Sequence, residues 1–522
     1  MFDRSTAAPL RALPDHAPVN GSPLRLAEWL VRECWGAYLA ILPDPHSGGL
    51  FVFPDPSGLL QVFRLETSNH IIVTSDLTLL AAAGLAVPAV SWADLHAYLR
   101  WPELRQRSTC LAKVRELEPG VLVSLGHEQA VVRTIWCPDM FMPSREGMAF
   151  NDAAEELREL ATAVIGAWAG FFGNTAVAAS GGVDSSLICA ALARAGQAFG
   201  CITLSTADPS GDERRFVHRL AEHLHVPAVA SIYDAGLVDL DHPASHGLPR
   251  PQRKTFLQAL DRALGLAGNE LGAQVIFDGN GGDNLFCFLH SSAAVVDSLR
   301  CRGPGRATLG TFLDMCRLTG CDTGSMARAV MRRALRPPPT GLWAPDERVL
   351  AGGSLPGSEV VPLTPWFDAE VGRHLGKRDH LALIMRCQNH LHGLAPASVP
   401  RRFSPLMSQP LVELCLSYPT WLWCKGGINR AVARAAFAQD LPQDVVWRTS
   451  KSGPDSFIRK LFDDRRSQIR DMLLGGLLAS HGLVDREATE AALAVGVESG
   501  DSIIYRLLDL AEAEAWARSW TR

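Results

Sequence analysis

The sequence predicts an α/β fold in which a parallel-sheet domain with a helical C-terminal part follows a β-rich domain. Three observations predict it. Thr175 to Leu187, TAVAASGGVDSSL, runs from a small apolar segment through a glycine pair into helix-compatible sequence. Gln274 to Phe288, QVIFDGNGGDNLFCF, repeats that plan further along. Ahead of both, the residues up to about 145 carry short strand-like runs broken by Pro and Gly turns. In an open parallel sheet, strand-to-helix turns gather at the carboxyl ends of the strands, where ligands bind.

A chain of 522 residues points to two domains, drawn here at 1–145 and 146–522. With 47% hydrophobic and 20% charged residues, the composition is that of a globular protein with ample core. A net charge of −5 leaves no basic footprint for nucleic acid. No apolar run reaches membrane-spanning length, and no basic-then-apolar leader opens the chain, so no membrane partner is expected. The twelve cysteines include no C-x-x-C pair; Cys316 and Cys321 lie closest. They read as reduced, mostly buried thiols, and the expected compartment is the cytoplasm.

In the front domain, GGLFVFPDPSGLLQVFRL places two strand-like runs around the turn Pro54 to Gly58. HIIVTSDLTLLAAAG predicts a strand and a short helix, and Pro119-Gly120 precedes the strand VLVSL. Cys34 falls in an apparent helix. Residues 146 to 170 read as a helix leading to the first glycine motif.

That motif joins strand, glycine turn and helix N-terminus, which aims unpaired backbone N–H groups at one point and suits a phosphate. Ser180, Gly181, Gly182, Ser185 and Ser186 are the binding candidates, the serine hydroxyls adding donors. Asp184 has the wrong sign for a phosphate and makes sense there if a cation bridges the two. No G-K-[ST] follows the glycines, so this is not a Walker A loop. An ordinary strand-to-helix turn is the plain alternative.

CITLS (201–205) predicts the next parallel strand, with Leu204 counted among the cofactor-binding candidates. Asp212 to His225 reads as a helix whose histidines match no zinc spacing and belong to a solvated face. In the second motif Gly279, Gly281 and Gly282 surround the turn and Asp283 supplies a second acid. Two turns with one Asp each could hold Mg²⁺ from two sides while the ion spans phosphates. From Leu299 to Trp366 the stretch reads as an insertion with loops, with no chemistry assigned.

SGGVDS resembles the pyrophosphate loop of ATP-dependent enzymes that adenylate a substrate, which implies a PP-loop ATP pyrophosphatase-like domain. With GNGGDN, the segment RRFSPLMSQP, Lys425 with Arg430, Leu441-Pro442, and Arg448 with Lys451, the chain resembles the asparagine synthetase and β-lactam synthetase family over nearly its whole length. The front domain is similar in order to that family's class II glutamine amidotransferase domain. The resemblance implies ATP and Mg²⁺ as cofactors and Asp184 and Asp283 as metal ligands. Arg448 would hold a phosphate bidentately, and Lys451 would stabilise charge on pyrophosphate or on the tetrahedral centre. Asp212-Glu213 stands where the family has an acidic pair; favourable charge at a helix N-terminus explains it equally well.

The departures are specific. Position 2 is Phe2 where the family's amidotransferase has its cysteine nucleophile, so the front domain is expected to be inactive. Asn280 replaces the family's proton-handling Glu and β-lactam synthetases' Tyr, and Asn284 replaces its final Glu. GNGGDN and SPLMSQP resemble lasso peptide cyclases, which implies a linear core peptide as substrate and a leader peptidase and precursor-recognition protein as partners. An ammonia-dependent asparagine synthetase, a β-lactam synthetase and a non-catalytic scaffold of a peptide-maturation complex are the alternatives. Glutamine is expected not to serve as nitrogen donor; glutamate release above background from glutamine and the purified protein contradicts this.

Overall fold

The computed structural model describes residues 1–44, 48–67, 69–126, 131–142, 145–206, 212–335, 344–352, 374–391, 400–449, 453–494 and 502–521. Its centre is a parallel sheet of five described strands in the order Ala228–Ile232, Phe199–Ser205, Thr175–Ala178, Val275–Asp278, Arg401–Phe403. The predicted α/β architecture is present. Both central strands are covered on both faces: Ala176, Val177, Val275, Ile276 and Phe277 are buried, which is why they read as unbroken apolar runs. They pair directly, with Ala178 opposite Asp278. The two glycine turns therefore leave the sheet side by side at the same level.

The helix Phe150–Phe172 feeds the first strand through Gly173, and the helix Val183–Arg194 leaves it. The second of these is buried almost all round, from Ser185 to Leu192, because it lies between the sheet and neighbouring helices. The helix Arg214–Leu224 buries a narrower stripe, Val217, Leu220 and Ala221.

The front residues are β-rich, as expected, but their pairing differs from a simple hairpin reading. Leu50–Pro54 lies between Leu39–Pro43 and Val121–Leu125, whereas Phe63–Glu66 pairs with Ile71–Thr74 and Val114–Glu116 in another sheet. The chain changes sheets at the turn between them. There the buried Asp55 carboxylate accepts from the N–H and hydroxyl of Ser57 and, at 3.3 Å, from the N–H of Tyr38. A carboxylate so occupied holds the turn open instead of letting the flanking runs fold onto each other.

Cys34 is not helical. The helix Pro23–Glu33 ends one residue earlier, and Cys34 takes extended angles to pair with Asp3 in a two-residue strand. Burial, with Asp3 and Glu33 adding to it, pushes its thiol up to about 11, which leaves almost no thiolate at neutral pH. Beside it Phe2 is fully buried, stacked on Trp35 at 4.4 Å and edge-on to Trp168 at 4.7 Å. The aromatic contacts continue from Trp168 to Phe172 and Phe403, and from Phe403 to Phe277 on the central strand. Front and back thus share one core. A second junction is polar: buried Glu116 receives Arg105 and, at 2.7 Å, Arg250. Burial alone would raise the Glu116 carboxyl; the two guanidinium groups hold it below its usual value.

The loop reading of 299–366 is corrected for its described part. Ala293–Arg302, Arg306–Thr319 and Thr323–Leu335 are helices. They bury Val295, Val296, Met315, Met326 and Val330 against one another and against Leu375 and Cys424. Of the residues read as loop, Met331 to Leu335 complete the helix Thr323–Leu335; Gly303 and Gly320, with φ of 72° and 69°, end the two helices before it. Residues 336–343 and 353–373 lie outside the described residues. No helix among the described residues is long and apolar enough to cross a membrane.

Replacing Phe2 by Ala should lower the melting midpoint clearly, the loss corresponding to about 3–5 kcal/mol for deleting a buried aromatic ring. A midpoint unchanged within error in a thermal scan argues against the shared aromatic core.

Candidate active site

The first turn begins where the strand Thr175–Ala178 ends. Gly181 has φ of 64°, and a Cβ there would stand 2.4 Å from the Cβ of Phe216, so the position admits only glycine. Gly182 starts the helix Val183–Arg194, whose first N–H groups, on Val183, Asp184 and Ser185, have no carbonyl one turn back to pair with. Such a cluster favours an anion. The hydroxyls are engaged inside the loop: Ser180 N–H donates to Ser185 Oγ at 3.2 Å, and Gly182 N–H donates to Ser180 Oγ at 3.3 Å.

The second turn packs against the first. A Cβ at Gly282 would lie 2.3 Å from Cγ of Asp184, so the missing side chain is what lets that carboxylate in. Gly281, at φ of 88°, presses on Met407, whose sulfur would be 2.5 Å from an added Cβ. Two contacts tie this turn to the helix Leu375–Gln388. Asn284 Nδ2 donates to the Leu383 carbonyl at 2.5 Å, and His380 Nε2 donates to the Leu285 carbonyl at 2.8 Å. A Glu at 284 would set a carboxylate against that carbonyl, which explains the asparagine physically. Asp278, at the strand end, accepts from Ser404 Oγ at 2.6 Å and Arg402 Nη2 at 2.9 Å, locking the neighbouring strand beneath the site.

Two arginines complete the arrangement. Arg430 Nη1 donates to both Asp184 oxygens, at 3.0 and 2.9 Å, and also to Asp283 Oδ1. Arg448 donates to the Ser180 carbonyl at 3.1 Å and to Glu213 Oε1 at 2.6 Å, its guanidinium 3.9 Å above the Phe216 ring. Behind Arg430, Arg434 holds the Asn429 carbonyl and side-chain oxygen at 2.8 and 2.9 Å. Burial, with Arg430 next to it, lowers Arg434 to about 10, so it stays charged at neutral pH. The cleft between the turns has a cavity volume of about 290 Å³ and opens to solvent.

Of the sequence candidates, Ser180, Gly182, Asp184, Ser185, Gly279, Gly281, Asp283 and Arg448 line this cleft, with Gly181 and Gly282 shaping the turns around it. Two candidates are placed elsewhere. Ser186 is fully buried on the helix, its hydroxyl without a hydrogen-bond partner among the described residues, and it does not line the cleft. Leu204 is at the strand Phe199–Ser205 and packs with Ile202 and Ala176 on the sheet. Lys451 lies outside the described residues; Thr449, two positions before it, lines the cleft. The acidic pair divides its work, Asp212 pairing with Arg214 and Glu213 with Arg448. Sequence reasoning named Arg430 without a role and missed Met407 as the wall behind Gly281.

The donor set is compatible with a hard divalent cation. No group of three or more His, Cys, Asp or Glu side chains able to hold a metal occurs among the described residues. Asp184 and Asp283, however, converge on a single cationic nitrogen. Two carboxylates completed by phosphate oxygens and water suit Mg²⁺, which dehydrates reluctantly and rarely takes an all-protein cage.

The family model described as asparagine synthase matches residues 174–320 and 397–518. The matched stretches hold both glycine turns, Arg430 and Arg448. A search of curated proteins finds no match.

Gly282→Ala should push its methyl into Asp184 and cut ATP-dependent turnover by roughly 10²-fold, as a displacement of about an ångström at a reacting centre does; kinetics within twofold of wild type contradict the contact. Acid sensitivity is the second expectation. His380 is fully buried, and burial, with Lys377 adding to it, lowers its ring to about 3. The unfolded chain therefore takes up this proton first, near pH 6.5. The stability it contributes is intact above pH 6.5 and is lost as pH falls from there toward 3. Melting midpoints between pH 8 and 4.5 should fall more steeply for wild type than for His380→Gln; parallel curves contradict the assignment.

Proposed function

The chain belongs to the asparagine synthase family, and on that premise we propose that it is an ATP-dependent, AMP-forming amide ligase that closes the macrolactam ring of a lasso peptide. The observation that carries the ligase reading is the convergence of Asp184 and Asp283, from two neighbouring βα turns, on one cation beside an anion-binding helix N-terminus. The reaction has two steps. A side-chain carboxylate of the core peptide attacks the α-phosphorus of ATP, forming an acyl-adenylate and breaking the bond to pyrophosphate. The peptide's own α-amine then attacks the acyl carbon, the amide forms, AMP leaves, and the amine gives up a proton.

In this reading the N–H groups of Val183 to Ser185 face the phosphates, and Arg448 holds the loop through the Ser180 carbonyl. Asp184 and Asp283 would hold Mg²⁺, which neutralises phosphate charge as pyrophosphate leaves. Lys451, three residues beyond Arg448, would stabilise charge at pyrophosphate or at the tetrahedral centre. Asn280 lines the cleft and cannot act as a base. The peptide α-amine, with an ordinary pKa of about 7.7–8.0, supplies a neutral fraction without one.

The lasso reading is supported by the way its two signature segments form one packed unit. Gly281 of GNGGDN abuts Met407 of SPLMSQP, Ser404 binds Asp278, and Ser408 accepts from Trp168 at 2.8 Å. We assign the front residues the role of a degenerate amidotransferase-like domain: Phe2 is buried and Cys34 is held as a thiol. A leader peptidase and a precursor-recognition protein would supply the linear core peptide.

With ATP, Mg²⁺ and the core peptide, the product should be one water lighter, resist carboxypeptidase in its tail, and appear with equal amounts of AMP and pyrophosphate. ADP and phosphate would reject adenylation, and asparagine made from aspartate and ammonia would move the chain to the ammonia-dependent branch. Asp184→Ala and Asp283→Ala should each lower turnover by roughly 10²–10³-fold or more. Lys451→Ala should lower kcat far more than it weakens ATP binding.

A further inference from the structure

The contact between Arg430 and the two aspartates has a function of its own. One guanidinium nitrogen donates to both carboxylates at once. The turns that carry them press so closely that Gly282 has no room for a Cβ against Asp184. Two carboxylates facing one cleft at such separation repel each other strongly unless a cation stands between them. The residue that supplies the cation is held in place by the backbone. Arg430 has φ of 54° and ψ of 34°, left-handed angles that a non-glycine residue adopts only at a cost. It begins the helix Ala431–Ala436, and the next N–H, on Ala431, is tied to the Trp423 carbonyl at 2.9 Å. The side chain is nearly buried, and its guanidinium lies 5.0 Å from the centroid of the Phe288 ring.

We propose that Arg430 is a built-in counter-cation that keeps free divalent ions off Asp184 and Asp283 and yields them only when a nucleotide binds. The proposal rests on the reading of the cleft as a metal–nucleotide site. A free divalent ion taking both of them would leave the guanidinium charged and unpaired in a nearly buried place, which is costly. Arg430 lines the same cleft as Ser180 and Gly182 of the phosphate-binding turn. A nucleotide there offers phosphate oxygens that a guanidinium binds bidentately. The aspartates and the arginine then exchange partners without leaving a charge bare. Metal and nucleotide affinities become coupled, each ligand strengthening the other by the same factor.

The test uses Mn²⁺ as probe, its binding followed by electron paramagnetic resonance, with and without α,β-methylene-ATP, which cannot release pyrophosphate. Wild type should bind Mn²⁺ poorly alone. R430Q should bind Mn²⁺ alone about tenfold or more tightly than wild type, the gain expected when a competing cation is removed from a close charge pair. R430M, a second neutral variant, should behave like R430Q should the latter fail to fold. R430K, which keeps the charge, should restore the wild-type exclusion, and R430Q with D184N should lose the gained site. If wild type takes up Mn²⁺ with the nucleotide but neither neutral variant gains affinity without it, the counter-cation role is overturned and the site reading stands. If wild type takes up no Mn²⁺ even with the nucleotide, the site reading falls and the proposal with it.

Discussion

The site depends on one electrostatic constraint: two aspartates on adjacent turns must share a cation. Everything near them serves that closeness. The parallel pairing of Thr175–Ala178 with Val275–Asp278 sets both turns at one level. Gly282 removes the side chain that would separate them, and Met407 backs the second turn from behind. Asn284 and His380 then fix that turn to the helix Leu375–Gln388. Were these supports lost, the two carboxylates would no longer be held side by side next to the N-terminus of the helix Val183–Arg194.

Arg448 plays a different part from Arg430, although both line the cleft. It grips the first glycine turn through the Ser180 carbonyl while Glu213 and the Phe216 ring hold its other side. Glycine at 181 is needed because Phe216 comes so close. The helix Arg214–Leu224 is thereby part of the site without lining it. The front residues contribute from further away. Phe2, Trp168 and Phe403 form a continuous aromatic contact up to the central strands, so the sheet is buttressed by a segment distant in sequence.

The parts of this arrangement that were legible in the sequence are those with a local pattern. Both strand–glycine–helix units announce themselves, because a buried parallel strand needs apolar residues and a phosphate-binding turn needs small ones. Asp184 and Asp283 stand out as acids in places otherwise built for anions. Arg430 does not: its left-handed backbone carries no glycine, asparagine or aspartate to mark it. The same holds for Ser186, one residue beyond a cleft-lining serine yet turned inward by the helical rotation of about 100° per residue. The helix Thr323–Leu335 was hidden because its last turn, Met331 to Leu335, runs straight into the proline run that starts at Pro337 and reads as loop. Sheet partners in the front domain depend on the Asp55 turn, a contact no periodicity encodes.

The aromatic contact between Phe2 and the sheet also sets a timetable for folding. Phe2 leaves the ribosome well before Trp168 and Phe171, which must follow before its contacts can close. At about 5–20 residues per second that wait is on the order of ten seconds. Through it, the strand Phe2–Asp3 and the Trp35 ring stay partly uncovered. Closing so long a loop costs only a little more entropy than closing a short one, so the finished fold loses little by it. The burden falls on synthesis: the nascent chain carries an exposed aromatic patch until Trp168 and Phe171 emerge.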